Sequence, residues 1–137
     1  MCIRDSYKGF VANIGYEKLG ANAVAGRSFQ TPMATLHKFN GWADLFLTTP
    51  ANGLQDVYGG VTYKFEHVKA LPGLNAVVTY HQFDSDVGGV DFGHEWDASM
   101  GFKAARGVTL LAKYADYSAR GFGTDTRKFW LQMEFAY

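Results

Sequence analysis

Five charged side chains sit at alternate positions of segments whose other positions are mainly apolar. Three are lysines on three different segments and two are carboxylates on a fourth: Lys64, Lys113, Lys128, Glu95 and Asp97. Rings of charged side chains select solutes in pores, and a lysine ammonium acts as a point charge toward a carboxylate. If these residues face one aqueous space, the lysines could attract a carboxylated sugar. Alternatively, lysines and carboxylates pair with each other and only stabilise the wall.

A second group of polar and aromatic residues lies in a stretch without alternation. It comprises His37, Asn40, Trp42 and Asp44. These residues could form a plug in a loop or a surface on which a sugar stacks, or they could hold the loop in shape. Because asparagine is a favoured N-cap, Asn40 predicts a short helix through residues 41–47.

Composition argues against several classes of function. Thirteen basic and thirteen acidic residues cancel, which gives no electrostatic footprint for nucleic acid. The chain has no G-x-S-x-G, phosphate-loop or C-x-x-C pattern, and its four histidines lack metal-ligand spacing. The sequence therefore predicts no enzyme, no cofactor and no metal site.

The elements that must position the charged residues are β-strands. Six segments alternate between apolar and polar residues with a period of two, which indicates strands with one apolar face. Sixteen glycines and 16% aromatic residues agree with an all-β fold. The predicted strands are Phe10–Lys18, Leu54–Glu66, Leu74–Phe83, Phe92–Lys103, Val108–Tyr117 and Lys128–Tyr137.

The lengths of these strands and of their connections favour a membrane protein. The strands are long compared with the usual five to six residues, and about 9 to 11 tilted residues cross a bilayer. Connections 68–73 and 104–107 are short, whereas 84–91, 118–125 and 20–53 are longer. This asymmetry is typical of an antiparallel up-and-down transmembrane β-barrel of the bacterial outer membrane, in contact with its lipid. Residues 20–53 would then be a long extracellular loop.

The last ten residues, KFWLQMEFAY, end in an alternating pattern with a terminal aromatic residue. Leu131, Met133, Phe135 and Tyr137 resemble the C-terminal signal by which the outer-membrane barrel assembly machinery recognises its clients. The alternative is an ordinary final strand of a soluble sheet.

Six strands are too few to close a barrel, since the smallest bacterial barrels have about eight. The opening hexapeptide MCIRDS looks like a translated sequencing-adapter remnant. We therefore expect residues 1–6 to be a non-native start. Residues 7–137 would be the C-terminal portion of one barrel domain that is monomeric when complete.

Residues 10–137 resemble the alginate-export family of outer-membrane β-barrels. The resemblance rests on FQTPMATLHKFNGWADLFLTTPANGLQD and, further along, on HEWDASMGFK, LLAKYADYSA and FGTDTRKFWLQMEFAY. It implies a large monomeric barrel that passively exports an anionic uronate polysaccharide through a positively lined pore. The expected function is a porin-like channel for anionic polysaccharide or other small anions. The alternative is a small soluble β-barrel that binds an apolar ligand inside, because alternation alone does not distinguish inside from outside.

Overall fold

The computed structural model describes residues 2–22, 24–31, 40–66 and 68–136. Within these ranges the chain is all-β and contains no helix. Long strands form one sheet and two short strands form a separate hairpin. The strands are β1 (Cys2–Tyr7), β2 (Phe10–Leu19), β3 (Ala21–Asn22), β4 (Arg27–Ser28), β5 (Leu54–Lys64), β6 (Asn75–Asp84), β7 (Asp91–Ala105), β8 (Val108–Ala119) and β9 (Thr126–Phe135).

The main sheet is an antiparallel meander of seven strands in the order β1-β2-β5-β6-β7-β8-β9. The β3–β4 hairpin lies within the long connection between β2 and β5. The register runs without interruption over most of the sheet and shifts at Phe83/Asp84 and at Lys103/Ala105. The predicted all-β, antiparallel, up-and-down arrangement is confirmed.

The sheet is open and does not close into a barrel. Among the described strands, β1 pairs only with β2, and β9 pairs only with β8. Each of these edge strands therefore leaves one row of backbone N–H and C=O groups without a strand partner. Seven strands are also fewer than the roughly eight of the smallest bacterial barrels.

The observed strands match the six predicted ones and add β1, on residues expected to be a non-native start. Sequence reasoning missed β1 because Cys2–Tyr7 has no consistent apolar face. The last strand, predicted over Lys128–Tyr137, spans Thr126–Phe135 instead. Tyr137 lies outside the described residues.

The short helix predicted through residues 41–47 is wrong, since this stretch consists of turns. Asn40, Gly41 and Asp44 have φ angles of 57°, 83° and 56°, which an α-helix does not allow. The N–H groups of Trp42 and Ala43 bond to carboxylates on β7 rather than to helical carbonyls.

The connections are less asymmetric than the sequence suggests. One end of the sheet carries two two-residue turns, 8–9 and 106–107, and also the ten-residue connection 65–74. The other end carries the six-residue connections 85–90 and 120–125 and the long connection 20–53. The strands β5 and β6 are shorter than predicted at one end, which lengthens the connection expected at 68–73.

The two faces of the sheet differ in what covers them. The polar face packs against residues 40–49 of the long connection and contributes to a cluster of buried hydrophobic residues. No described residue covers the apolar face, and large side chains on six of its strands are exposed, namely Phe10, Ile14, Tyr16, Val57, Val61, Tyr63, Val78, Trp96, Met100, Tyr114, Phe129, Leu131, Met133 and Phe135. This is the reverse of a sheet in a soluble domain, where the apolar face is the buried one.

Candidate functional site

Residues 40–49, called here the docked segment, lie on the polar face and are held there by two carboxylates of β7. The N–H of Ala43 donates to Glu95 Oε1 at 2.7 Å, and the N–H of Trp42 donates to Asp97 Oδ2 at 3.2 Å. Glu95 and Asp97 are completely buried. Because buried backbone N–H groups need hydrogen-bond partners, these contacts fix the position of the segment.

The backbone of the docked segment is shaped to receive the Glu95 carboxylate. Positive φ angles at Asn40 and Gly41 precede the two N–H groups that donate to β7, and such reversals create concave anion sites in a backbone. A Cβ atom on Gly41 would lie 2.5 Å from Glu95 Oε2. Glycine is therefore required at position 41 both for its conformation and for the space.

Two lysines from the outer strands of the sheet reach the same segment. Lys128 on β9 donates to the carbonyl oxygen of Ala43, and its Nζ lies 3.6 Å from Asp44 Oδ2. Lys113 on β8 places its Nζ 5.6 Å from the centre of the Trp42 ring, within the range of a cation–π contact. Both lysines thus contact the docked segment.

An aromatic cluster secures the middle of the segment. The ring of Phe46 lies 4.5 Å from that of Phe83, 5.1 Å from Phe122 and 6.0 Å from Tyr117. The Tyr117 hydroxyl oxygen lies 2.6 and 2.9 Å from the carbonyl oxygens of Phe92 and Phe122, between which its single proton is shared. Because the buried hydroxyl is paired, the cluster closes without an unsatisfied tyrosine.

A buried histidine links carboxylates of two neighbouring strands beneath the segment. His81 Nδ1 lies 3.0 and 2.9 Å from the two oxygens of Asp56, and its Nε2 lies 3.7 Å from Asp97 Oδ2. The imidazole stacks between Tyr58 and Phe83. This packing fixes the ring plane and keeps Asp56 paired.

A cavity of about 430 Å³ opens beside this histidine. It is rich in polar groups and is lined by Cys2, Asn13, Tyr16, Glu17, Asn40, Trp42, Asp56, Tyr58, Thr79 and His81. Part of its wall is β1, the edge strand of the sheet, and Asn40 borders residues outside the described ranges. The cavity is therefore a space at the border of the sheet rather than an enclosed pocket.

The structure brings most of the predicted site residues to one place. Lys113, Lys128, Glu95 and Asp97 all contact the docked segment, which carries Asn40, Trp42 and Asp44. Lys64 stands apart and is exposed at the end of β5. His37 lies outside the described residues.

Sequence reasoning missed four members of the site: Gly41, Phe46, Asp56 and His81. The motif that contains Gly41 and Phe46 was recognised, but its residues have no period that identifies which ones pack. Asp56 and His81 occupy polar positions of two predicted strands, as many residues do. Only the register that places Asp56 opposite Phe83 and His81 opposite Glu95 brings them under the segment.

Charged pairs at the same end of the sheet tie the other connections together. Asp86 contacts Lys18 Nζ at 2.5 Å, and it accepts hydrogen bonds from the Ala21 N–H and from Gln55 Nε2. The Lys18 side chain, followed by the Ala21 N–H, lowers the pKa of the Asp86 carboxyl below its usual value. On the far side, Arg120 contacts Asp91 at 2.6 Å.

Comparisons with known proteins give no relative: the chain matches no family model, no curated protein and no solved structure. The resemblance to the alginate-export family stays a prediction. Nowhere in the described part of the chain is there a helix long and apolar enough to cross a membrane. The described residues also contain no group of three or more His, Cys, Asp or Glu side chains arranged around a metal ion.

Proposed function

We propose that the sheet is part of the wall of a transmembrane β-barrel in the bacterial outer membrane, and that its polar face lines an aqueous channel. The observation that carries this proposal is the contrast between the faces. The docked segment and the charged side chains occupy the polar face, while a broad apolar face has no protein against it among the described residues. Apolar area of this extent is unfavourable in water and favourable in lipid.

An aromatic row on the apolar face, which runs from Tyr16 on β2 to Tyr114 on β8, supports a tilted, membrane-spanning arrangement. Following the register across four strand-to-strand steps, Tyr16 on β2 aligns with Ser118 on β8. The aromatic residue on β8 is Tyr114, four residues nearer the 106–107 turn. With about 4.8 Å between strands and about 3.4 Å per residue, the row makes an angle of about 35° with the register rows. Barrel strands tilt by about 35–45° in the membrane.

A second aromatic row, which runs from Tyr63 on β5 to Phe135 on β9, gives the same angle independently. Tyr63 on β5 aligns with Leu131 on β9 across four steps, and Phe135 lies four residues further in the same direction. On β9 the apolar face ends between Arg127 and Phe129, on the side of the 120–125 connection. From Arg127 to Phe135 the strand rises about 27 Å, or about 22 Å after tilting, close to the roughly 25 Å apolar band of such barrels.

The solute class rests on charge and on the family resemblance. Lys64 and Lys103 lie toward the 106–107 end of the polar face, where both are exposed. They support passive passage of an anionic saccharide or a small anion. The alternative function is a soluble barrel that binds an apolar ligand, and its apolar face would be the inner one. Here the docked segment packs on the polar face, which favours the polar face as the inner one.

Closure of the channel requires partners for the open edges of β1 and β9, which further strands of the same barrel would supply. Leu131, Met133 and Phe135 are exposed on β9, where the barrel assembly machinery could bind them together with Tyr137.

Membrane fractionation tests the proposal: the protein should sediment with outer membranes and require detergent for extraction. Recovery from the soluble fraction without detergent would refute it. An independent long read upstream of Tyr7 should encode more alternating strands.

A further inference from the structure

We infer that the docked segment is a fixed constriction of the channel, held inside the lumen by Glu95 and Asp97 as positioning residues. This inference rests on the proposed function and adds the element that limits which solutes pass. A segment attached to the lumen face reduces the cross-section directly, because it occupies space that the solute would otherwise cross.

The attachments span a wide part of the wall. Phe46 contacts Phe83 on β6 and Tyr117 on β8, the backbone bonds reach β7, and Lys128 reaches from β9. Three strand-to-strand steps correspond to about 14 Å of barrel circumference. A segment held at this many points moves little, so the narrowing is permanent rather than a gate.

The tripeptide Glu95–Trp96–Asp97 indicates how far along the channel axis the constriction lies. Glu95 and Asp97 flank Trp96 in sequence and point to the opposite face, because successive side chains alternate across a strand. Trp96 is exposed on the apolar face between Tyr16 and Tyr114, within the aromatic row nearer the long connection. The constriction therefore lies level with that row, toward the end that carries residues 20–53.

Leu47 is the large side chain of the docked segment that is exposed on the side away from the wall. Leu47 is 58% exposed, whereas Ala43 and Phe46 on the same segment are buried against the sheet. In the channel Leu47 would project toward the solute. Its size should change the width of the passage without altering the attachment to β7.

The test is single-channel conductance of the protein expressed from its complete reading frame, reconstituted in planar bilayers. The double variant Glu95→Ala/Asp97→Ala removes both carboxyl groups that accept hydrogen bonds from the backbone of the segment. We expect at least a twofold increase in conductance and passage of larger neutral polyethylene glycols. Glu134→Ala truncates a carboxyl on the same face, six residues along β9 from Lys128, and should leave both the conductance and the size limit unchanged.

A second variant keeps the inference falsifiable if the double variant does not fold. Leu47→Trp should lower the conductance at least twofold, while hydrogen exchange at the Trp42 and Ala43 amides stays slow. Wild-type conductance in both the double variant and Leu47→Trp would overturn the constriction. Absence of any conductance in the correctly inserted wild type would instead overturn the channel itself, so the two failures are distinguishable.

Discussion

The Glu95 carboxylate lies so close to the backbone of Gly41 that a methyl group on this glycine would be 2.5 Å from Glu95 Oε2. Gly41 also has a φ of 83°, a conformation that costs a residue with a Cβ atom roughly 1 kcal/mol or more. The pair couples a turn of the long connection to the third strand from the end of the sheet. The fit between Gly41 and the buried Glu95 thus leaves no room for a side chain at position 41.

Replacing Gly41 by alanine should therefore undock the segment. We expect a loss of about 2–3 kcal/mol in the local stability of the segment, from the strained φ and from the contact with Glu95. Hydrogen exchange of the Ala43 amide measures this loss.

Gly89→Ala is the matched control, because Gly89 has a φ of 62° and nothing within 4 Å of an added Cβ. It should cost only the conformational part, about 1 kcal/mol. Adding Glu95→Ala to Gly41→Ala should remove the steric part of the loss. If Gly41→Ala and Gly89→Ala cost the same, the close contact with Glu95 does not matter.

Two neighbouring residues on β5 test which face of the sheet meets lipid. Val61 lies on the apolar face and is exposed, whereas Thr62 lies on the polar face. In a membrane barrel Val61→Lys should destabilise the protein by about 2–4 kcal/mol, and Thr62→Lys by much less. Urea unfolding in lipid vesicles measures both. A harmless Val61→Lys would contradict the membrane-facing assignment.

Phe46 anchors the segment through its aromatic contacts, so Phe46→Ala should cost about 3–5 kcal/mol. The expected result is a lowered thermal midpoint together with fast exchange at the Trp42 and Ala43 amides. Phe29→Ala is the control, since Phe29 is largely exposed in the same connection and its truncation should change stability by about 0.5 kcal/mol or less. Equal effects of the two substitutions would show that the cluster does not fix the segment.

The sequence could predict the strands of the sheet because alternation is a local signal. Six of the seven long strands and the two faces followed from residues two positions apart. The docked segment could not be predicted in the same way. Its attachment depends on Glu95 and Asp97 meeting backbone N–H groups of Trp42 and Ala43, more than 50 residues away. The helix predicted from Asn40 was wrong, because the Asn40 side chain suits a helix cap whereas its positive φ begins a turn.

Lys64 is the sharpest test of the proposed anion preference. Lys113 and Lys128 contact the docked segment, so their neutralisation would change both charge and structure. Lys64 is exposed at the end of β5, and Lys64→Gln should shift the reversal potential in a salt gradient away from anion selectivity. Lys69→Gln, in the 65–74 connection, removes a positive charge outside the strands as a control. An unchanged reversal potential for Lys64→Gln would argue against a lysine-based selection of solutes.

Asp86 should make the packing of the connections dependent on pH. Its pKa in the folded protein is lowered, chiefly by Lys18 and then by the Ala21 N–H. A carboxyl with a depressed folded pKa stabilises the fold above its unfolded pKa of about 3.9, and this stabilisation is lost as the pH falls through the folded value. Asp86→Asn should therefore speed hydrogen exchange at Ala21 at pH 6. Toward pH 3 and below, the difference from wild type should shrink, because the wild-type carboxyl itself becomes protonated.

Asp125→Asn is the control. Asp125 lies in the 120–125 connection and accepts a hydrogen bond from the Ala119 N–H, so its replacement should leave hydrogen exchange at Ala21 unchanged. A difference between Asp86→Asn and wild type that stays constant across this range would show that the lowered pKa of Asp86 does not govern the contact.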